Sequence, residues 1–554
     1  MLQLAGQQRL FKILVSGSIA ITLVITPNIN KDSIIIPKNI ILFCLAMFFV
    51  PSAIKNLKNS FNNPGIKKLL ILASIFLLNF VIILVASKSP LEQLIFGRTG
   101  RGLGLITFFS VIVITLISAM IFSPEKIRLL LGGIITAGLL ASFYGILQYF
   151  NLDLFDWDTR TNGVIGTIGN PNFLSSFAAM IFVPTVVFFW KNKFTNFLFI
   201  LLPLIFFTIY ITKSTQGYVT LVIATLAYLL VFFWYKQKLF FIPLSIVTFI
   251  SVIISIFGAL GHGPLSYFLY KISVQSRGDF WRSAVTTGTS HPIFGVGFDS
   301  FGDYSLLYRD QIAASHSFAE YTDSAHNYYL DYLVTGGFPF MLLNILLSLF
   351  VLSSFLKVQK KIAMFDKNIT ALFCVWLVYQ LQSLISPMSV VFMVWNAVVA
   401  GATIAMVDAV VNIKTNDKLP KSSVPSTQTS VYAMGLISAI IGLVVMFPLF
   451  NSDRLQLKAI RSGNGDLLIQ SVTMYPESVL KYSQAGRDLL SSGLSDHSLY
   501  LARKAIEFNP NSAALWALVL INPKAPINER LDAKEAILNL DPLNTEVRNF
   551  KLDG

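Results

Sequence analysis

The chain has 554 residues, of which 54% are hydrophobic and 13% charged, with a formal net charge of +14 and a mean hydropathy of +0.67. A soluble chain carries about 25% charged residues, so this one lacks the charge to cover a water-facing surface, which excludes an ordinary soluble enzyme, a disordered protein and a collagen-like fibre. Its two cysteines, Cys44 and Cys374, lie inside long apolar runs and cannot build a disulfide framework; they read as small buried hydrophobes.

A membrane helix needs about 20 mostly apolar residues. Runs of that kind lie near 11–27, 35–53, 67–87, 103–123, 129–150, 173–190, 195–212, 217–235, 239–260, 337–356, 368–386, 389–411 and 432–450, thirteen in all. The first has no small-residue cleavage site after it and reads as a retained span. The expected fold is all-α and polytopic, with about thirteen transmembrane helices in residues 1–450, a large loop at about 261–336, and a C-terminal helical-repeat tail over 451–554.

Orientation follows from Lys and Arg in the short loops. With the N-terminus cytoplasmic, the inside segments carry nineteen, from Arg9 and Lys12 through to Lys414, Lys418 and Lys421. The short outside loops carry seven: Lys31, Lys38, Lys88, Arg98, Arg101, Arg160 and Lys213. This topology puts the large loop and the tail outside the cytoplasm. The tail holds 12 basic and 12 acidic residues, so the excess charge belongs to the membrane part. There it faces anionic lipid of the bilayer, and the basic balance is no argument for nucleic acid.

In the tail, SVTMYPESVLKY, ARKAIEFNPNSAALWAL and AKEAILNLDPLNTEV place Pro476, Pro510 and Pro542 at intervals of 34 and 32 residues. This resembles a tetratricopeptide array, a helix pair per repeat of about 34 residues. Such a tail docks a protein partner or packs on the large loop, and it carries no catalytic signature.

Four polar clusters precede even-numbered spans and so share the outer face: GRTGRG at 97–102, NGVIGTIGNPN at 162–172, TKSTQG at 212–217 and SAHN at 324–327. Free N–H groups and the helix dipole at such ends favour an anion. Asn170-Pro171 fits a cap followed by proline in the first turn, and Asp323 is expected to cap a helix that carries His326 in its first turn. The large loop adds Arg277, Arg282 and Arg309, with Phe280 and Trp281 between the first two. Fixed guanidinium forks suit a phosphate or diphosphate, and aromatic faces suit sugar rings. A charged head at the interface and an apolar tail in the bilayer describe a lipid diphosphate.

Five histidines are present, at 262, 291, 316, 326 and 497, with no HExxH, no paired-His spacing and no DxD-like pair, which disfavours a metal enzyme. No Walker loop suggests a nucleotide. His326 stands at the outer end of a helix, where a neutral imidazole is favoured, as a general base requires. His262, His291, His316 and His497 read as structural.

The segment SAHNYYLDYLVTGGFPFMLLNIL (324–346) resembles the His-Asn signature of the O-antigen ligase and O-antigen polymerase superfamily. There Ala-His-Asn is followed by Leu, then Gly-Gly or Gly-x-x-Gly and another membrane helix. SRGDFWRSAVTTGTSHPIFGVGFDSF (276–301) resembles the same family's Arg-x-x-x-Trp and Pro-x-x-Gly-x-Gly element, and GNPNFLSSF (169–177) its Asn-Pro-Asn at a helix start. The likeness spans most of residues 90–410. It implies a metal- and cofactor-independent, inverting glycosyltransferase of the bacterial cytoplasmic membrane. Such an enzyme takes a glycan from a polyprenyl-diphosphate carrier on the outer face. The acceptor is a lipid A core sugar, a protein hydroxyl or another glycan. His326 then corresponds to the base that activates the acceptor hydroxyl and Arg277 to a diphosphate ligand. Arg282, Arg98, Arg101, Lys213, Gln216, Asn170, Asn172 and Asn327 complete the candidate substrate-binding set. Many ligases have Ser-Arg where this chain reads Ser214-Thr215-Gln216-Gly217. Gln216 supplies no charge, which leaves Lys213, or Arg98 and Arg101, to do so. A polymerase that elongates repeat units on the carrier shares this chemistry, and a transporter of lipid-linked glycans is the rival from another class.

Overall fold

The computed structural model describes residues 2–153, 155, 157, 163–191, 193–316, 322–410 and 428–552; Arg160, Asn162, Lys414, Lys418 and Lys421 of the sequence reading lie outside the described residues. Each of the thirteen apolar runs lies on a helix, and no strand occurs among the described residues. Ten of these helices, from Ile35–Ser60 to Ser430–Ser462, are long and apolar enough to cross a membrane. The other three differ for physical reasons. Leu105–Ile121 has 17 residues, about 25 Å at 1.5 Å per residue, against a hydrocarbon core of about 30 Å. Leu198–Ile211 is shorter still and is opened by the 3₁₀ turn Thr195–Phe197. Leu2–Leu23 is long enough, but Gln3, Gln7, Gln8, Arg9 and Lys12 dilute its first half.

Helix Val390–Val410 is buried along nearly its whole length and forms the axis of the bundle. Its Val, Ala and Gly residues let Leu105–Ile121 approach closely, and Ser118 donates across the contact to the Val398 carbonyl at 2.7 Å. Lys238–Ala259 is the opposite case: no residue of its apolar stretch is fully buried, and most of that surface is left to lipid tails.

Tyr328–Ile362 is broken at Gly336 and Gly337, whose φ/ψ are −141°/25° and 67°/−167°. The break leaves backbone groups unpaired, and the segment 291–297 pairs with them. Val296 and Gly297 donate to the carbonyls of Val334 and Thr335 at 2.8 and 3.0 Å, and Phe338 donates to the Pro292 carbonyl at 2.8 Å. The two chains lie so close that a Cβ on Gly337 would stand 2.4 Å from the Pro292 oxygen. Gly337→Ala is therefore expected to lower the melting temperature markedly. Left-handed backbone alone costs a non-glycine residue about 1–2 kcal/mol, before the contact is relieved. A thermal-shift curve identical to wild type would refute this account of the break.

The last span continues without interruption into the tail, since Gln428–Ser462 is one helix of 35 residues. Six shorter helices follow, from Gly465–Thr473 to Thr545–Asn549. Pro476, Pro510 and Pro542 each fall in a connection between two of them, where a missing N–H and a fixed φ cost nothing. The tail has apolar clusters of its own, one around Tyr482, Leu501 and Leu515 and another around Leu499, Leu518 and Ile537.

Candidate functional site

The His326 loop is built by Asp331, which lies one turn into the helix that starts at Tyr328. Its carboxylate accepts from the Ser324 hydroxyl and the Ala325 N–H, both at 2.8 Å, and so folds residues 324–325 back over the helix start. Ser324 Oγ then accepts from the His326 N–H at 3.0 Å. The helix is capped by Asn327, whose side-chain oxygen accepts from the N–H groups of Tyr329 and Leu330 at 3.0 and 3.3 Å. The expectation that Asp323 caps a helix carrying His326 is thus corrected. His326 precedes the helix, at φ 55°, and Asp323 faces an arginine.

His326 Nδ1 lies 3.1 Å from the Ser324 carbonyl oxygen. A carbonyl can only accept, so this contact assigns the proton to Nδ1 and leaves the Nε2 lone pair available. Burial pushes the imidazole down to about 4, the bond to the Ser324 backbone opposes this, Arg101 and Arg277 lower it further, and Asp323 raises it. The ring is therefore neutral at neutral pH. Its face packs on Phe280, with centroids 5.4 Å apart.

Arg277 stands on helix Ile272–Ser290, one turn before Trp281. Its Nη1 donates to the Ser273 carbonyl at 3.1 Å. Arg277 Nε and Trp281 Nε1 are buried donors without an acceptor among the described residues. No carboxylate pairs with Arg277 among the described residues, and burial lowers its pKa. An uncompensated half-buried cation beside a second unsatisfied donor suits an anion.

The other cations are placed differently. Arg98 pairs with Asp303 at 3.2 Å, and Arg101 with Asp299 at 3.3 Å and Asp323 at 3.0 Å. Burial works against the Arg101 charge, yet Asp323, Asp299 and Asp331 outweigh it and keep its pKa above the ordinary value. Burial likewise acts to raise Asp323, but Arg101 and Arg98 hold it below the usual carboxylate range. Asp299 Oδ2 also accepts the N–H groups of Arg98 and Leu103, at 2.8 and 3.1 Å, which closes the 97–104 turn. Arg282 is exposed and shared between Asp279 and Asp310, at 2.6 Å each.

Asn170 caps Pro171–Phe189 by accepting from the Asn172 N–H, with Pro171 in the first turn. Asn172 in turn accepts from the Ser214 hydroxyl at 2.7 Å. Gln216 is buried and bonded to Gln382 and Ser386, while Asn327 donates to the Leu384 carbonyl at 3.2 Å. The end of Lys367–Ile385 thus joins Gln216 to the His326 loop. Lys213 is exposed at φ 54°, and Lys271 donates to Thr215 at 2.7 Å, which brings the start of the Arg277 helix over the same place.

All four polar clusters of the sequence therefore meet at one end of the bundle, through Arg101–Asp323, Ser214–Asn172 and the 382–386 helix end. Arg277 and Arg101 both lower the His326 pKa through space, but Arg277 has no carboxylate partner among the described residues, whereas Arg98, Arg101, Arg282 and Gln216 are already engaged by neighbours. The sequence reading passed over Asp299, Asp303, Asp323 as an arginine partner, Asp331 and the Trp281 N–H. Only the i,i+4 spacing of Arg277 and Trp281 carried a signal for any of them. Among the described residues no group of three or more His, Cys, Asp or Glu is placed to hold a metal ion.

Residues 197–345 match the family model described as O-antigen ligase. The matched stretch contains Lys213, Gln216, Arg277, Arg282, His326, Asn327 and the Gly336-Gly337 break, while the 97–104 turn, Asn170, Asn172 and the tail lie outside it. No curated protein matches the chain.

Proposed function

We propose that the chain, whose residues 197–345 match the O-antigen ligase family model and which carries ten helices long and apolar enough to cross a membrane among its described residues, transfers a glycan from a polyprenyl-diphosphate carrier to an acceptor hydroxyl. The site lies on the outer face of the cytoplasmic membrane. The observation that carries this reading is the pairing of a neutral His326, its Nε2 lone pair available, with Arg277, a cation with no carboxylate partner among the described residues. Nε2 takes the proton of the acceptor hydroxyl as that oxygen attacks the anomeric carbon. The bond from that carbon to the diphosphate oxygen breaks, and polyprenyl diphosphate leaves with the electron pair. Attack from the face opposite the leaving group inverts the anomeric centre. Arg277 and the Trp281 N–H hold the diphosphate and stabilise the charge that grows on it. Phe280 and Trp281 offer faces to the sugar.

The excess of Lys and Arg at the opposite end of the bundle supports the outward orientation, with residues 1–450 as the membrane part and the repeat-like tail beyond the same face as the site. The test is release of free polyprenyl diphosphate from a lipid-linked glycan by the purified protein, with membrane extract as the source of acceptor. A single transferred glycan on lipid, protein or surface polymer marks a ligase. A ladder of lengthened carrier-linked products marks a polymerase. Absence of release with every extract, alongside movement of the intact donor across a vesicle bilayer, would make the transporter the better reading.

A further inference from the structure

The tail meets the rest of the protein through polar pairs as well as apolar packing, and several of these pairs land on the 97–104 and 299–309 segments that adjoin the site. Arg309 and Asp541 form a forked ion pair, with Nε and Nη2 each donating at 3.0 Å, and their side chains are only 5% and 1% exposed. Asn509, at the end of Ser495–Phe508, donates to Asp303 Oδ2 at 3.3 Å. The same carboxylate receives Gln93 at 3.0 Å and Arg98 at 3.2 Å. Ser478 accepts from Thr99 at 2.9 Å, inside the 97–104 turn. On the other side of that turn, the Gly100 N–H donates to Asp32 at 3.1 Å, and the Asp32 N–H donates to Asp453 of the tail helix at 2.7 Å.

From Asp303 the line continues. Asp303 holds Arg98, the Arg98 N–H and Arg101 share Asp299, and Arg101 reaches Asp323, which immediately precedes Ser324 and lies three residues before His326. A second branch leaves the same segment, since the Ser305 carbonyl accepts from Ser283 on the Arg277 helix at 2.8 Å. Residues 299–309 therefore touch both walls of the site, and the tail grips them at Asp303 and Arg309.

We infer that the C-terminal helices are a positioning part of the His326 centre, fixing the 97–104 and 299–309 segments that set Arg101, Asp323 and the Arg277 helix. A docked accessory domain would rest on exposed loops. Here Asp541 and Asn509 fall on buried groups, Arg309 and Asp303, of the 299–309 segment that adjoins the site. The inference rests on His326 as the base in the reading above, and it has a readout that does not depend on turnover.

That readout is hydrogen–deuterium exchange at the imidazole C2 position, followed by mass spectrometry of the full-length protein in nanodiscs, which titrates His326 separately from the other histidines. The charged groups acting on His326 are Arg101, Arg277 and Asp323. Asp541→Asn, by loosening Arg101 and admitting water, is expected to move the His326 midpoint upward by about one pH unit and to slow polyprenyl-diphosphate release about tenfold or more. Asp541→Glu should restore part of both. Asn509→Leu removes one hydrogen bond and decides the matter where Asp541→Asn fails to fold. Glu529→Gln breaks the exposed Arg503–Glu529 pair of the same tail and is expected to leave the midpoint unchanged. An unshifted midpoint and wild-type release in folded Asp541→Asn and Asn509→Leu would overturn the inference, as would an equal shift in Glu529→Gln. A wild-type protein that releases nothing defeats the transferase reading, while the midpoints still decide the role of the tail.

Discussion

Replacing His326 by asparagine is expected to slow glycan release by about 10²–10⁴-fold, the contribution of a positioned general base, with donor affinity nearly unchanged. Asparagine is the cleaner substitution because position 326 sits at φ 55°. Asn tolerates left-handed backbone better than Ala does, so loss of activity reports the imidazole and not the loop. The pH dependence has a definite sign. The active form is the neutral ring, and its pKa in the free protein is about 4. The profile of kcat/KM should therefore stay flat from neutrality to well below 6 and fall only as pH approaches 4. In the donor complex, diphosphate charge offsets the push from Arg101 and Arg277, so the acid limb of kcat should lie above that of kcat/KM. The same depressed pKa affects folding. Between about 4 and 6.5 the unfolded chain binds the His326 proton and the folded chain does not, so stability rises with pH across that window. An acid limb of kcat/KM near 6.5, or a His326→Asn protein with wild-type turnover, would remove His326 as the base.

Arg277→Ala is expected to cost about 10²–10³-fold in kcat/KM, as for the loss of one charge-stabilising donor at a leaving group. Both parameters should suffer, because the diphosphate is held in the ground state and gains charge in the transition state. Arg277→Lys should recover only part, since an ammonium lacks the planar fork. The melting temperature should hardly move, because no carboxylate among the described residues is left unpaired by the change. Arg101→Ala is the contrasting case. It strands Asp299 and Asp323, and removing one partner of a buried pair costs about 3–5 kcal/mol. Donor titrations together with melting curves separate the two arginines. Wild-type donor affinity and kcat in Arg277→Ala would exclude it from diphosphate binding.

The helices were legible because a bilayer allows few answers: a run such as 67–87 or 239–260 is apolar throughout and has nowhere else to go. The site was legible as a set of polar clusters at helix starts, and Asn170-Pro171 as a cap. The roles within it were not. Arg98 and Arg101 read as free cations because Asp299, Asp303 and Asp323 lie some 200 residues away in sequence, and nothing local couples them. Asp323 looked like a cap because it precedes a helix. The cap went to Asn327 once Asp331 had drawn Ser324 and Ala325 back over the helix start. Gly336-Gly337 was visible as a motif but not as a break, because the partner that satisfies the broken backbone is the 291–297 segment. The docking of the tail through Asp541 and Asn509 left no mark in a stretch whose charges balance.

The Gly336-Gly337 break divides one continuous-looking helix into a short piece and a long piece that continues to Ile362, both tied at the break to the 291–297 segment. In a bilayer, the long piece answers to hydrocarbon thickness and the short piece does not. When the membrane thins or thickens, a long apolar helix adjusts by tilting. An unbroken rod would carry that tilt into the loop at its end and swing the imbedded imidazole with it. With the helix broken and pinned at the two glycines, the height and aim of His326 are expected to follow protein contacts, and the tilt of the far end of the long piece to follow the lipid.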